Sequence, residues 1–223
     1  MPVFIDNDSK TMALAEHTFG VAKGIPDALC ISVNECIGLG MILNSQPYTG
    51  YKGMAGEFGH IRISGLNGQC YCGKAGCLET VASGRAIVKS ANEAIKKGVK
   101  TSVQTLAGDN EITLSIIIKA AKQDDIFAID LLQKAGEKIG EGISTLIHLF
   151  NPQVLVIGGE IADSGDLIIA PIQQILNKYT LTRLKNQCEI KLSDLNSHST
   201  IMGTLMVVMK NLYYDSESNF SLY

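Results

Sequence analysis

Three cysteines fall within eight residues, in Cys70-Tyr71-Cys72-Gly73-Lys74-Ala75-Gly76-Cys77, and His60 stands ten positions ahead of the first. Few features constrain a chain more, because donors this close either meet on one ion or leave thiols on a loop. One imidazole and three thiolates form a closed tetrahedral set, the ligand count of a structural zinc site, whereas catalytic zinc keeps a position open. Gly73 and Gly76 let the backbone double back so that the sulfurs converge. The alternative is three free thiols and an unrelated histidine. A Cys70–Cys72 disulfide is disfavoured, since one intervening residue strains the bridge. Spacing alone leaves both readings open, because Cys-x-Cys is less diagnostic than paired Cys-x-x-Cys.

The chain has six cysteines in 223 residues, and their crowding suits a metal site in a reducing compartment better than a disulfide framework. A cytoplasmic location is the expectation. No apolar run approaches the roughly 20 residues that span a bilayer, and the N-terminus lacks the pattern of a signal peptide. Hydrophobic residues at 46% can bury a sizeable core. The net charge of −3 argues against these residues gripping nucleic acid themselves.

The apolar pattern predicts an α/β layer architecture. Pro2–Ile5 reads as a short buried strand, and Ser9–Phe19 as a helix capped by Asp8 or Ser9. Ala28–Val33 and Ile37–Leu43 read as two strands with a tight connection, then a turn at 44–47. The glycine-rich stretch 48–59 reads as an ordered loop and 60–64 as a short strand. Helices are expected over 78–97, 112–123, 125–150, 167–178 and 202–213, with a loop at 106–110. Strands are expected at 154–157 and 188–192, and the last ten residues are polar.

The run from Ala55 to Ser83 resembles the signature of the ROK family of sugar kinases and sugar-responsive repressors. It carries Gly56-Glu57-Phe58-Gly59-His60, then the cysteine run ending Cys77-Leu78-Glu79, and Ala82-Ser83. The resemblance implies an actin-like, ribonuclease H-like ATPase lobe: a mixed sheet flanked by helices, with a zinc-binding loop insertion at 55–79. It implies zinc on His60, Cys70, Cys72 and Cys77, and sugar-facing roles for Glu57, His60 and Glu79. Carboxylates and a neutral imidazole would accept hydrogen bonds from sugar hydroxyls. Asn7-Asp8 is similar to the family's Asn-Asp element, which implies sugar contact by both and, in the kinases, a general base at Asp8. From the residues alone, Asp8 reads first as a helix cap, and Glu79 has an alternative reading as a first-turn carboxylate.

The nucleotide side departs from the kinase pattern. Kinases of the family carry a glycine-rich phosphate loop where this chain has Asn34-Glu35-Cys36-Ile37-Gly38-Leu39-Gly40. Gly38 and Gly40 keep the last two glycines, and Gly158-Gly159 resembles the adenosine-side pair. Glu35 would set a carboxylate beside incoming phosphates. Neither the family's N-terminal phosphate lobe nor a repressor's winged helix is present, so residues 1–223 are expected to be its second, sugar-binding lobe. The expected function is the sugar-sensing, dimerising domain of an ROK regulator, meeting DNA only through that missing winged helix. The alternative is an ATP- and Mg²⁺-dependent hexose or N-acetylhexosamine kinase with Asp8 as base.

Overall fold

The computed structural model describes residues 3–195 and 198–214. Helix α1 (Asp8–Thr18) leads into β1 (Ala28–Val33) and β2 (Ile37–Leu43), followed by the two-residue strand β3 (Gln46–Pro47). Helices α2 (Glu79–Ala82), α3 (Gly84–Lys96), α4 (Ser102–Ala107), α5 (Leu114–Ala121) and α6 (Ile126–Phe150) come next. Strand β4 (Val154–Gly158), α7 (Asp166–Tyr179), α8 (Thr182–Lys185), β5 (Glu189–Leu192) and α9 (His198–Met209) complete the order.

The five strands form one mixed sheet in the order β3-β2-β1-β4-β5. Strand β1 pairs antiparallel with β2 and parallel with β4, and β4 pairs parallel with β5. Asn44 and Ser45 both take positive φ, the backbone that a two-residue hairpin turn between β2 and β3 demands. Burial on both faces explains why β1, apart from Ser32, and β4 are apolar runs rather than alternating ones. Leu29, Ile31, Leu155 and Ile157 pack under Leu132, Ile139 and Ile143 of α6. On the other face Ala28, Cys30, Val154 and Val156 meet Met12 and Ala13 of α1. Helix α9 lies against α1 in turn.

Five expectations are corrected. Val3 and Ile5 are 80% and 94% exposed and belong to no strand, because a short apolar run specifies a strand only where a partner edge meets it. Pro2 and the polar residues from 215 onward lie outside the described residues. The cap of α1 is Asn7, whose side-chain oxygen accepts from Ser9 N–H. The helix expected over 78–97 breaks at Ser83, which is extended. Its hydroxyl donates to Glu79 carbonyl at 2.8 Å and accepts from Ala86 N–H at 3.2 Å, ending α2 and capping α3. Residues 102–107 are helical where a loop began in the expectation, and 60–64 form a 3₁₀ turn and coil with a single bridge, Arg62 to Cys77.

Candidate functional site

A cleft of about 310 Å³ opens above β1 and β2, and its lining is mostly polar. The start of α1 contributes Asn7 and Asp8, and the 3₁₀ turn after the glycine loop contributes Glu57 and His60. Their positions follow from local chemistry. Asn7 turns outward because it caps α1. Asp8 sits in the first turn, with its Oδ1 accepting from Ser9 N–H at 2.7 Å. Phe58 anchors the second turn by burying fully in the core between Glu57 and His60.

The 55–79 loop gathers the thiols beside that turn. The ligand atoms of His60, Cys70, Cys72 and Cys77 all lie within 4.8 Å of one another. Cys72 Sγ is 3.7 Å from Cys77 Sγ, and Cys70 Sγ is 3.7 Å from His60 Nδ1. A tetrahedron with metal–sulfur bonds of about 2.3 Å has sulfur–sulfur edges of about 3.8 Å, so the four side chains could hold such an ion with little movement. Burial, followed by the neighbouring Cys72 and Cys70, pushes Cys77 up to about 12, while the backbone at Lys74 lowers Cys72. A cation at the centre is what would let all three thiols carry charge together.

The other expected residues are divided. Glu79 is 5% exposed and is not part of the cleft lining. Its Oε2 accepts from Ile37 N–H at 2.9 Å, so the carboxylate pins the start of β2 from behind the cleft wall. Gly38 and Gly40 both abut Ser9 of α1, and of the two Gly38 also lines the cleft. A Cβ on Gly40 would lie 2.3 Å from Ser9 carbonyl oxygen, so glycine there lets the helix seat on the sheet. Gly158 packs under Met12. Gly159 has φ +80°, and a Cβ there would lie 2.6 Å from Val33 carbonyl oxygen. It lines a second cavity of about 190 Å³ together with Glu160, Asp163, Ser199 and Thr200.

Sequence reasoning missed the partition between the two cavities. Ser32 and Asn34, at the end of β1, line both. Asn34 donates to Ser32 Oγ at 3.0 Å, and its Oδ1 accepts from Glu160 N–H at 2.8 Å. The available signal was a buried serine in an otherwise apolar strand. Beside the partition, Glu35 pairs with Arg85 at 3.2 Å, and this hydrogen bond, with charge from Cys36, raises the Arg85 pKa. Cys36 is pushed upward by burial and by a hydrogen bond with Glu79. Tyr71, also missed, reaches over the cleft from between two of the thiols.

Among the described residues no helix is long and apolar enough to cross a membrane. Residues 1–211 match the model of the ROK family. The chain is 33% identical over 204 residues to the N-acetylglucosamine repressor of Escherichia coli O6:H1, covering 92% of this chain and 49% of that one. It thus spans about half the length of that relative. Among solved structures, an ROK transcriptional regulator described as a homologue of E. coli Mlc superposes with a TM-score of 0.84 at 32% identity, over 93% of this chain and 52% of that one. An ROK glucokinase from Streptomyces griseus, in complex with glucose and AMPPNP, superposes with a TM-score of 0.85 at 29% identity, over 93% and 68%. Repressor and kinase relatives are therefore about equally similar, and what they share is the assignment: this chain belongs to the ROK family.

Proposed function

We propose that residues 1–223 are the sugar-sensing, dimerising lobe of an ROK transcriptional regulator, with a structural zinc ion on His60, Cys70, Cys72 and Cys77. The observation that carries this reading is the set of carboxylates that line the two cavities on either side of Ser32 and Asn34. Phosphoryl transfer to a sugar beside Asp8 would bring a triphosphate from the second cavity across Ser32 and Asn34. Glu35 lines the first cavity beside Lys10, and Glu160 and Asp163 line the second; the Glu35 side chain is 84% exposed although paired with Arg85. No lysine or arginine lines the second cavity among the described residues. Carboxylates facing phosphates repel them, whereas a neutral sugar is indifferent to their charge and finds hydrogen-bond acceptors in Asn7, Asp8 and Glu57.

Sugar binding would favour one arrangement of the parent regulator over another and so act on DNA at a distance. DNA contact is assigned to a winged helix of the parent protein, and the compartment to the cytoplasm. The kinase remains the second reading because Asp8 shares the cleft with Glu57 and His60, the placement a general base would need. The test is a coupled ADP-release assay beside calorimetry, on the full-length protein that contains this sequence, across hexoses, pentoses and amino sugars. Sugar heat without turnover is the expected result. Turnover that disappears in Asp8→Ala would overturn the sensor reading in favour of the kinase.

A further inference from the structure

Tyr71 is not a core residue, and its hydroxyl also bonds Cys36 at the rim of the cleft. The residue is 67% exposed, yet its place is fixed, because it is the single residue between Cys70 and Cys72 of the thiol cluster. Its hydroxyl lies 3.3 Å from His60 Nε2, and the two rings meet edge to face at 5.4 Å and 74°. The Arg85 guanidinium stands over the same ring at 5.9 Å, itself tied to Glu35. Tyr71 lines the cleft and also the shallow cavity beside Glu79 and Arg85, so its ring forms the wall between them.

The orientation of His60 gives this contact a meaning. Nδ1 faces Cys70 Sγ, so a metal held by the cluster takes the Nδ1 lone pair. In a neutral imidazole the hydrogen is then on Nε2. His60 therefore offers the cleft a donor, and the phenol oxygen of Tyr71 is the acceptor beside it. A ligand hydroxyl that accepts from Nε2 must take the place of that oxygen.

We infer that Tyr71 is a ligand-contacting, specificity-setting residue: its hydroxyl holds His60 Nε2–H in the empty cleft, yields it to a hydroxyl of the bound sugar, and its ring then packs on the sugar's C–H face. This rests on the sugar reading of the cleft. The two parts of the side chain act in opposite directions. The hydroxyl competes with the ligand, while the ring adds apolar contact to it. Selection follows for ligands that combine an accepting hydroxyl with an adjacent apolar face, as pyranoses do.

The experiment is calorimetric titration of the zinc-loaded protein with glucose and with N-acetylglucosamine, for wild type, Tyr71→Phe and Tyr71→Ala. Zinc content is measured for each variant, and exchange of the His60 Nε2 proton is followed by NMR without sugar. Removing one competing neutral hydrogen bond should tighten binding by roughly two- to tenfold in Tyr71→Phe, while Tyr71→Ala binds more weakly than wild type. All three should retain their zinc, and the Nε2 proton should exchange faster in both variants. Equal or weaker binding by Tyr71→Phe, or unchanged proton exchange, overturns the inference and leaves the sugar reading standing. A wild-type protein that binds neither sugar overturns both.

Discussion

Replacing Gly40 with alanine distinguishes a glycine kept for a nucleotide from one kept for a helix. The new Cβ would lie 2.3 Å from Ser9 carbonyl oxygen and 2.5 Å from Ala13 Cβ. Both obstacles are parts of α1 that cannot rotate aside, so relief requires the helix to back away by roughly 1 Å to reach ordinary contact. Over-packing of this kind costs about 1–3 kcal/mol. For a domain of this size each kcal/mol lowers Tm by about 2–4 °C, so thermal unfolding should shift down by about 2–12 °C. Because α1 carries Asn7 and Asp8 at its first turn, sugar affinity should fall in the same variant although residue 40 does not line the cleft. Differential scanning calorimetry and a sugar titration on one preparation read both effects. An unchanged Tm with unchanged sugar affinity would refute the packing argument and return Gly40 to the nucleotide reading.

Metal analysis should return one zinc per chain, and a chelator should lower the unfolding temperature, since gathering and deprotonating the four ligands couples binding to folding. Asp125→Ala should cost about 1–2 kcal/mol as a lost helix cap, read by urea denaturation. Its carboxylate accepts from Ala128 N–H, Ser102 N–H and the hydroxyls of Ser102 and Thr101, joining α6 to α4. Burial works to raise this carboxyl, but those hydrogen bonds outweigh it and hold the group at about 2. Its folded pKa is thus depressed, so its contribution is present at neutral pH and is lost as pH falls from about 4 toward 2. Glu16 has the opposite sign. Burial raises its pKa against the bonds from Ser193 and Val21, so its contribution is full at low pH and declines as pH rises above 4.5. Glu16→Gln should flatten that decline in a pH series of denaturation midpoints.

The elements legible in the sequence were those whose signal is local. Strands β1 and β2 were expected at their observed bounds, because predominantly apolar runs end at Asn34 and Asn44. The long helix α6 followed from its apolar spacing, and the structure adds Asp125 as its cap. The break at Ser83 was hidden, since a serine within a helical pattern gives no sign that its hydroxyl will bond in both directions. In the site, the Cys/His cluster was legible because its donors span only eighteen residues of chain. The position of Glu79 was not, because its partner, the Ile37 amide, lies 42 residues away. Glycine reported a close approach at Gly40 without reporting that the approaching group was a helix. Ser32 and Asn34 carry no motif, and their role exists only where β1 ends between two cavities.

The most direct test of sugar sensing is calorimetric titration of the full-length, zinc-loaded protein with a panel of hexoses, pentoses and amino sugars, repeated with Glu57→Ala. Glu57 is exposed in the cleft, so its removal should leave the fold and the zinc content unchanged. Saturable heat from at least one sugar, lost in Glu57→Ala, is the expected result. No heat from any sugar, or equal heat from both proteins, would contradict the assignment of this cleft to sugar.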